Sequence, residues 1–240
     1  MSRMRADRLL VERGLFESRA KAQAAIAAGL VIADGVTVRK ASDEIAIDAA
    51  IDARAAHPYV SRGGVKLAAA LDTFGFDPKR RIGLDVGAST GGFTQVLLQR
   101  GAARVYAVDV GRAQLHASLR ERPGVVSLEQ TDIRELKPLK PEPDLVVIDV
   151  SFISLKQVLP AALKLAASSA QLIALIKPQF EAGRERVRKG VVRDAAVHVA
   201  VCDDIAAFVA SLGWRVVGLT PSPITGGDGN AEFLLGAKRD

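Results

Sequence analysis

Asp149 and Lys177 each close a run of apolar residues, Leu145–Ile148 and Leu172–Ile176. A charge is unexpected inside such a run and is tolerated where a buried strand ends. In an open parallel sheet the carboxyl ends of the strands line the ligand crevice, so both side chains are candidates for chemistry. Lys66 and Glu232 are two more ionisable residues near that edge. Lys66 lies in the first turn of an amphipathic segment ahead of the first strand, and Glu232 opens the last apolar run. A surface charge is the plainer reading of each one alone. Taken together, two lysines and two carboxylates could move a proton and steady a developing negative charge.

What could bind beside them is set by residues 84–94, LDVGASTGGFT. A buried strand runs into a turn with Gly87, Gly91 and Gly92, and a helix follows from Phe93. Strand, glycine-rich turn and helix are how an open sheet approaches a nucleotide at the end of its first strand. A dinucleotide fingerprint needs a second glycine to admit the pyrophosphate. Ser89 stands there instead, and the Asp85 carboxylate would face phosphates. S-adenosylmethionine has no phosphate and carries an ammonium and a sulfonium, so it suits this turn better. A glycine-rich turn with no ligand is the plainer alternative. The candidate cofactor contacts in the turn are Asp85, Gly87, Ser89, Gly91, Gly92 and Phe93. Asp109 ends the second strand, at the place where an acid accepts hydrogen bonds from a ribose diol. Asp132 follows the third strand and could reach an adenine amino group, with Ile133 beside it.

These residues need a frame. Apolar runs at 82–86, 105–110, 125–128, 145–148 and 172–176 read as strands, and 214–219 and 232–236 supply two more. Helical periods lie between several of them, at 65–74, 93–99 and 195–212. Alternating strands and helices predict an α/β fold: a mostly parallel, seven-stranded, Rossmann-like sheet with helices on both faces. Cys202 falls in the last helical pattern and reads as a buried structural thiol.

The first forty residues are basic and differently built. Asp7–Arg13 reads as a short helix ending at Gly14. Ser18 is a good N-cap for a second helix, Arg19–Ala28, and Gly29 a good residue to end it. Ala33-Asp34-Gly35 signals a hairpin between residues 30–32 and 36–38, and Ile45 and Ile47 suggest one more strand. Residues 49–58 read as a linker, in which Tyr59 that follows is more easily a packing residue than a stacking one. Residues 181–194 form a loop rich in arginine on the ligand side of the sheet, with Arg184, Arg186, Arg188 and Lys189 as candidate nucleic-acid contacts. The chain of 240 residues carries a net charge of +6, which points to a polyanionic partner.

The motifs together resemble a known family. The segment RADRLLVERGLFESRAKAQAAIAAGLVIADG is similar to the small RNA-binding domain named after ribosomal protein S-four, with Gly14–Ala22 as its most specific part. That resemblance implies phosphate contacts from Arg5, Arg8, Arg19 and Lys21, which position a protein without reading sequence. SRGGVKL, LDVGASTGGFT, YAVDVGRAQL, VVIDVSFISL, LIKPQFEAGR and GGDGNAEFLL resemble the TlyA-type, haemolysin A-like ribosomal RNA methyltransferases, whose catalytic domain is FtsJ-like. The resemblance implies a class I S-adenosylmethionine-dependent fold and transfer of methyl to the ribose 2′-oxygen of a cytidine in ribosomal RNA. It also implies that Lys66, Asp149, Lys177 and Glu232 form the catalytic Lys-Asp-Lys-Glu tetrad. The chain stops soon after its last strand, without the C-terminal extension of some relatives, so the resemblance implies the large ribosomal subunit rather than both.

The expected organisation is an RNA-binding α+β module over 1–56, a linker over 57–64 and the methyltransferase domain over 65–240. The partner is ribosomal RNA or a ribosomal subunit. One cysteine and three scattered histidines exclude a disulfide framework and give no metal-ligand spacing. No signal sequence and no apolar run of roughly 18 residues are present, so a cytoplasmic protein with no membrane contact is expected. Two rivals belong to other classes: an RNA-binding assembly factor with an inactive methyltransferase-like domain, and a membrane-active haemolysin.

Overall fold

The structure, a computed structural model, describes residues 2–226 and 229–240. Gly227 and Asp228 of the GGDGNAEFLL motif lie outside the described residues. The chain divides into two compact units, Met1–Pro58 and Tyr59–Asp240.

The first unit holds β1 (Arg3–Arg5), α1 (Ala6–Glu12), α2 (Arg19–Ala27), β2 (Val31–Ala33), β3 (Val36–Thr37), β4 (Glu44–Ala46) and β5 (Ile51–Ala53). Ser18 caps α2 by accepting the Lys21 backbone N–H at 3.3 Å. Asp34 and Gly35 both take positive φ, +48° and +78°, the pairing a two-residue hairpin turn between β2 and β3 requires. Two strands differ from the sequence reading. β1 pairs with β4, and β5, inside the expected linker, pairs with β2. Leu9, Leu10, Ala22, Ile26 and Val31 fill the core of this unit.

The second unit opens with Tyr59, which packs against the core that contains Phe93 and Leu67. Then come α3 (Gly63–Phe74), β6 (Ile82–Val86), α4 (Gly92–Gln99), β7 (Arg104–Val108), α5 (Ala117–Arg120), β8 (Val125–Leu128), β9 (Leu145–Ile148), α6 (Leu155–Lys164), β10 (Ala170–Ile176), α7 (Pro178–Glu181), α8 (Ala195–Ser211), β11 (Arg215–Pro221) and β12 (Phe233–Arg239). Helix α3 therefore starts two residues before the expected Val65, inside the stretch expected as linker. The sheet order is β11-β12-β10-β9-β6-β7-β8, and β12 alone runs against its neighbours.

Helices cover both faces. Leu145 and Val147 of β9 pack in the cluster that holds Leu67 of α3 and Leu97 of α4. Val146 and Ile148 pack on the opposite side with Val158 and Leu159 of α6 and Ile205 of α8. Alternate residues of one strand thus serve two cores, which is why β9 reads as an unbroken apolar run. Cys202 is buried, and burial pushes its thiol up to about 11. Strand β6 has β9 on one side and β7 on the other, so the order of the chain reverses there. That switch point is where such sheets open a crevice for ligands.

Candidate active site

Asp149 follows β9, Lys177 follows β10, and Glu232 precedes β12. Strands β9 and β10 are parallel neighbours, so the first two come to the same edge. Strands β10 and β12 are antiparallel with Ile176 opposite Phe233, and the same register carried one residue on sets Lys177 opposite Glu232. Lys66 reaches this edge from the first turn of α3.

The four side chains form two pairs. Lys66 Nζ donates to Glu232 Oε2, and both residues are buried. Lys177 Nζ lies 2.7 Å from Asp149 Oδ1 and donates a hydrogen bond to Ser151 Oγ at 2.8 Å. At Asp149 Oδ1 the contact is an ion pair rather than a directed hydrogen bond. Lys177 is 8 % exposed, so its ammonium is nearly out of water and depends on this partner.

Two cavities adjoin the Lys177–Asp149 pair, and Lys66 and Glu232 line neither. One of about 190 Å³ is lined by Gly87, Ser89, Gly92 and Phe93 together with Asp149 and Lys177. The other, of about 610 Å³, is lined by Gly87, Ser89, Asp109, Asp132, Ile133 and Phe152, among others. Both touch Gly87, Ser89, Asp149 and Ser151, so the glycine turn lies between them. Gly87 has φ +82°, and a Cβ there would collide with the Asp149 carbonyl. The turn can lie this close to the end of β9 only as glycine.

Two of the nine candidate cofactor residues belong to neither cavity wall. Gly91, at φ +93°, caps α4, and a Cβ there would strike Leu119 and Leu115. Its absent side chain serves packing. Asp85 points to the α4 side of the sheet and is fully buried. It accepts a hydrogen bond from Thr94 Oγ1 at 2.6 Å on one oxygen, while the other has no hydrogen-bond partner. Burial pushes its carboxyl up to about 7, against the lowering effect of Thr94, and Asp149 adds to the rise.

Asp109 does line the larger cavity, but its oxygens already accept backbone N–H groups. Ser89 N and Gly111 N each donate to it at 2.7 Å. Each oxygen keeps a second lone pair for a ligand hydroxyl. Asp132 caps a 3-10 turn through Arg134 N at 2.9 Å and pairs with the Arg134 guanidinium at 2.6 Å. The Arg134 hydrogen bonds hold its carboxyl below the usual range. Any ligand at Asp132 would therefore share it with Arg134.

These features fit a cationic nucleoside ligand. Asp109 and Asp149 place negative charge beside the turn, which an ammonium or sulfonium would offset and a pyrophosphate would not. Among the described residues there is no group of three or more metal-ligating side chains.

The expected RNA contacts sort less simply. Arg5 Nε and Arg19 both bond the buried carboxylate of Asp7, at 3.1 and 2.6 Å, and Gln23 adds a third donor at 2.8 Å. These arginines are thus fixed in place rather than free, each presenting the outer edge of its guanidinium. Lys21 pairs with Glu17 at 2.5 Å, and Arg8 is exposed. Arg184, Arg186, Arg188 and Lys189 are all exposed on the loop between α7 and α8.

Three residues escape a sequence reading. Ser151 is the neutral partner of Lys177. Thr94 satisfies Asp85. Phe152 is 91 % exposed at φ +64° in the wall of the larger cavity. Only the third had a signal, an aromatic three residues beyond a strand-ending acid.

Residues 59–239 match the FtsJ-like methyltransferase family, and residues 4–51 match the S4 domain. A protein of Bacillus subtilis named putative rRNA methyltransferase YqxC is 48% identical, over 96% of this chain and 84% of its own length. The 16S/23S rRNA (cytidine-2′-O)-methyltransferase TlyA of Mycobacterium tuberculosis is 46% identical, over 97% of this chain and 89% of its own. A solved structure described as a putative hemolysin from Streptococcus thermophilus superposes with a TM-score of 0.79 at 43% identity, covering 100% of this chain and 89% of that one. No helix among the described residues is long and apolar enough to cross a membrane. With an FtsJ-like match over most of its length, an S4 domain ahead of it and relatives of this closeness, the chain belongs to the TlyA branch of the FtsJ-like methyltransferases.

Proposed function

We propose that this protein methylates the ribose 2′-oxygen of a cytidine in ribosomal RNA, with S-adenosylmethionine as methyl donor. The observation that carries the reading is the Lys177–Asp149 contact in the cavity wall at the glycine turn, with the buried Lys66–Glu232 pair at the adjoining strand ends. A site for cofactor binding alone has no use for a nearly buried ammonium group in its wall, since burying a charge is costly.

Asp109 would hold the ribose diol, with Asp132 and Ile133 beside the base and Gly87 and Ser89 along the amino-acid end. The bound cofactor supplies a methyl group already activated by a sulfonium. The weak reactant is the ribose hydroxyl. Lys177, paired with its own carboxylate, serves as a charged donor that orients this oxygen and steadies the alkoxide as the proton leaves. Asp149 is the adjacent acceptor that can take that proton. Lys66 and Glu232 brace the other side and keep a second cation near the developing charge. The exposed arginines of both units supply phosphate contacts, which hold RNA without reading its sequence.

The S4 domain over 4–51 favours a structured RNA as substrate over a small molecule. We expect the large subunit's RNA among the targets, one of the two RNAs in the mycobacterial relative's name. A reaction on such a substrate takes place in the cytoplasm. The test is to incubate the purified protein and S-adenosylmethionine with unmodified ribosomal RNA or subunits and map 2′-O-methylated riboses. Methylation at a discrete cytidine supports the reading. Binding of cofactor and RNA without transfer would favour an assembly factor instead.

A further inference from the structure

The cationic loop over residues 182–194 has little structure of its own. It holds one 3-10 turn at Arg184–Arg186 and a single bridge between Arg188 and Val191. Lys189 and Gly190 turn the chain at φ +50° and +77°. Arg184, Arg186, Arg188, Lys189 and Arg193 are exposed, and their mutual repulsion works against a fixed loop.

What fastens it is Asn230, which is 3 % exposed. Its Nδ2 donates to Gly190 O at 2.9 Å, and its Oδ1 accepts from Val192 N at 3.4 Å. The carboxamide thus grips the loop at the turn and just beyond it. Its own backbone carbonyl accepts Gly226 N at 2.8 Å. Gly226 in turn lies so close to Glu232 that a Cβ would overlap its carboxylate. A second tie runs in parallel: the Val192 carbonyl is 2.9 Å from His198 Nε2, whose ring packs 5.6 Å from that of Phe233, the residue after Glu232. Loop and reaction centre therefore share one short segment, residues 230–233.

We propose that Asn230 is a positioning residue that fastens the cationic loop to the segment carrying Glu232, so that an RNA strand gripped by the loop is held in fixed register with the two lysine–carboxylate pairs. The inference rests on the RNA-methylating reading above. Asn230 lines neither cavity. It acts through Gly190 and Val192, and without it the cations remain but their phosphate contacts lose a fixed place. Asparagine suits the task because its carboxamide both donates and accepts.

The test uses the whole chain with Asn230→Ala and Asn230→Asp. The second variant keeps the side chain's volume and turns the donor toward Gly190 O into an acceptor, so it guards against a misfolding artefact. Limited trypsin digestion needs no RNA. Cleavage within residues 184–193 should quicken about tenfold in both variants, as a lost tie lets the loop open locally. The KM for ribosomal RNA should rise about tenfold and kcat should fall with it, cofactor affinity being unchanged, because a strand out of register loses attacking geometry as well as binding. Lys189→Ala should weaken RNA binding in the native chain and add little in the Asn230→Ala background, because both act through one loop. Native cleavage rates, a loosened loop with unchanged KM, or full additivity would each overturn the proposal. A native chain that transfers no methyl to RNA would instead overturn the functional reading, and the trypsin result would still report whether Asn230 holds the loop.

Discussion

Lys66 and Glu232 stand 166 positions apart and form a buried ion pair that ties the start of α3 to the start of β12. A lysine in the first turn of a helix is disfavoured by the helix dipole, so its carboxylate partner is what keeps it there. Lys66→Ala should cost about 3–5 kcal/mol, since it leaves Glu232 buried and unpaired. Replacing both, as in Lys66→Met with Glu232→Leu, should regain most of that stability and none of the methyl transfer. Denaturant unfolding beside an activity assay separates the two. A stable and active double variant would place the pair in the scaffold alone.

Asp85 makes a prediction about pH. Its folded value of about 7 lies above that of an unfolded aspartate, so the folded state holds a proton that the unfolded state gives up. Stability should therefore fall as pH rises from about 4 to about 7, by on the order of 4 kcal/mol in total for this group. Asp85→Asn keeps an acceptor for Thr94 and removes the fall, so its melting temperature should exceed that of the native chain at pH 8. Calorimetry across that range checks it, and parallel pH profiles for the two proteins would contradict it.

Asp109→Ala should weaken S-adenosylmethionine binding by about 1.5–3 kcal/mol, the range for hydrogen bonds to a charged group. The same change strips a partner from Ser89 N and Gly111 N, so the turn itself should loosen. Titration calorimetry with an unchanged dissociation constant would remove Asp109 from the cofactor site.

In the first unit, hydrogen bonds from Arg5 and Arg19 hold the Asp7 carboxyl well below the usual carboxylate range. A lowered folded value means that its contribution is present above the unfolded value and is lost as pH falls toward the folded one. Asp7→Asn should destabilise this unit by roughly 1–3 kcal/mol. It should also weaken RNA binding without touching cofactor affinity, because two arginines lose their fixed aim. Filter binding that matches the native chain would show that neither arginine meets RNA.

The reach of the sequence followed from where the physics is local. Strand β9 and residues 172–176 of β10 are buried on both faces, so each reads as an unbroken apolar run. Asp149 and Lys177 stood out because each ends such a run. Asp85 sits beside the glycines in sequence, yet the pleat turns it toward Thr94 and away from both cavities. Arg5 and Arg19 looked like free cations because the carboxylate that holds them comes from a helix between them. β5 is three residues long with a polar centre, too short for a periodic signal. α6 contains Pro160, which hides a helix from a composition rule. The Lys66–Glu232 pair required the antiparallel return of β12, and no local pattern announces that.

The central claim is that the Lys177–Asp149 contact serves transfer to a ribose oxygen. The most direct measurement is single-turnover methyl transfer to ribosomal RNA by the native chain and by Lys177→Ala, with cofactor affinity measured in parallel. The account predicts transfer to a discrete cytidine by the native chain, none by Lys177→Ala, and nearly equal cofactor dissociation constants, because the loss falls on the transition state. Undiminished transfer by Lys177→Ala would contradict it.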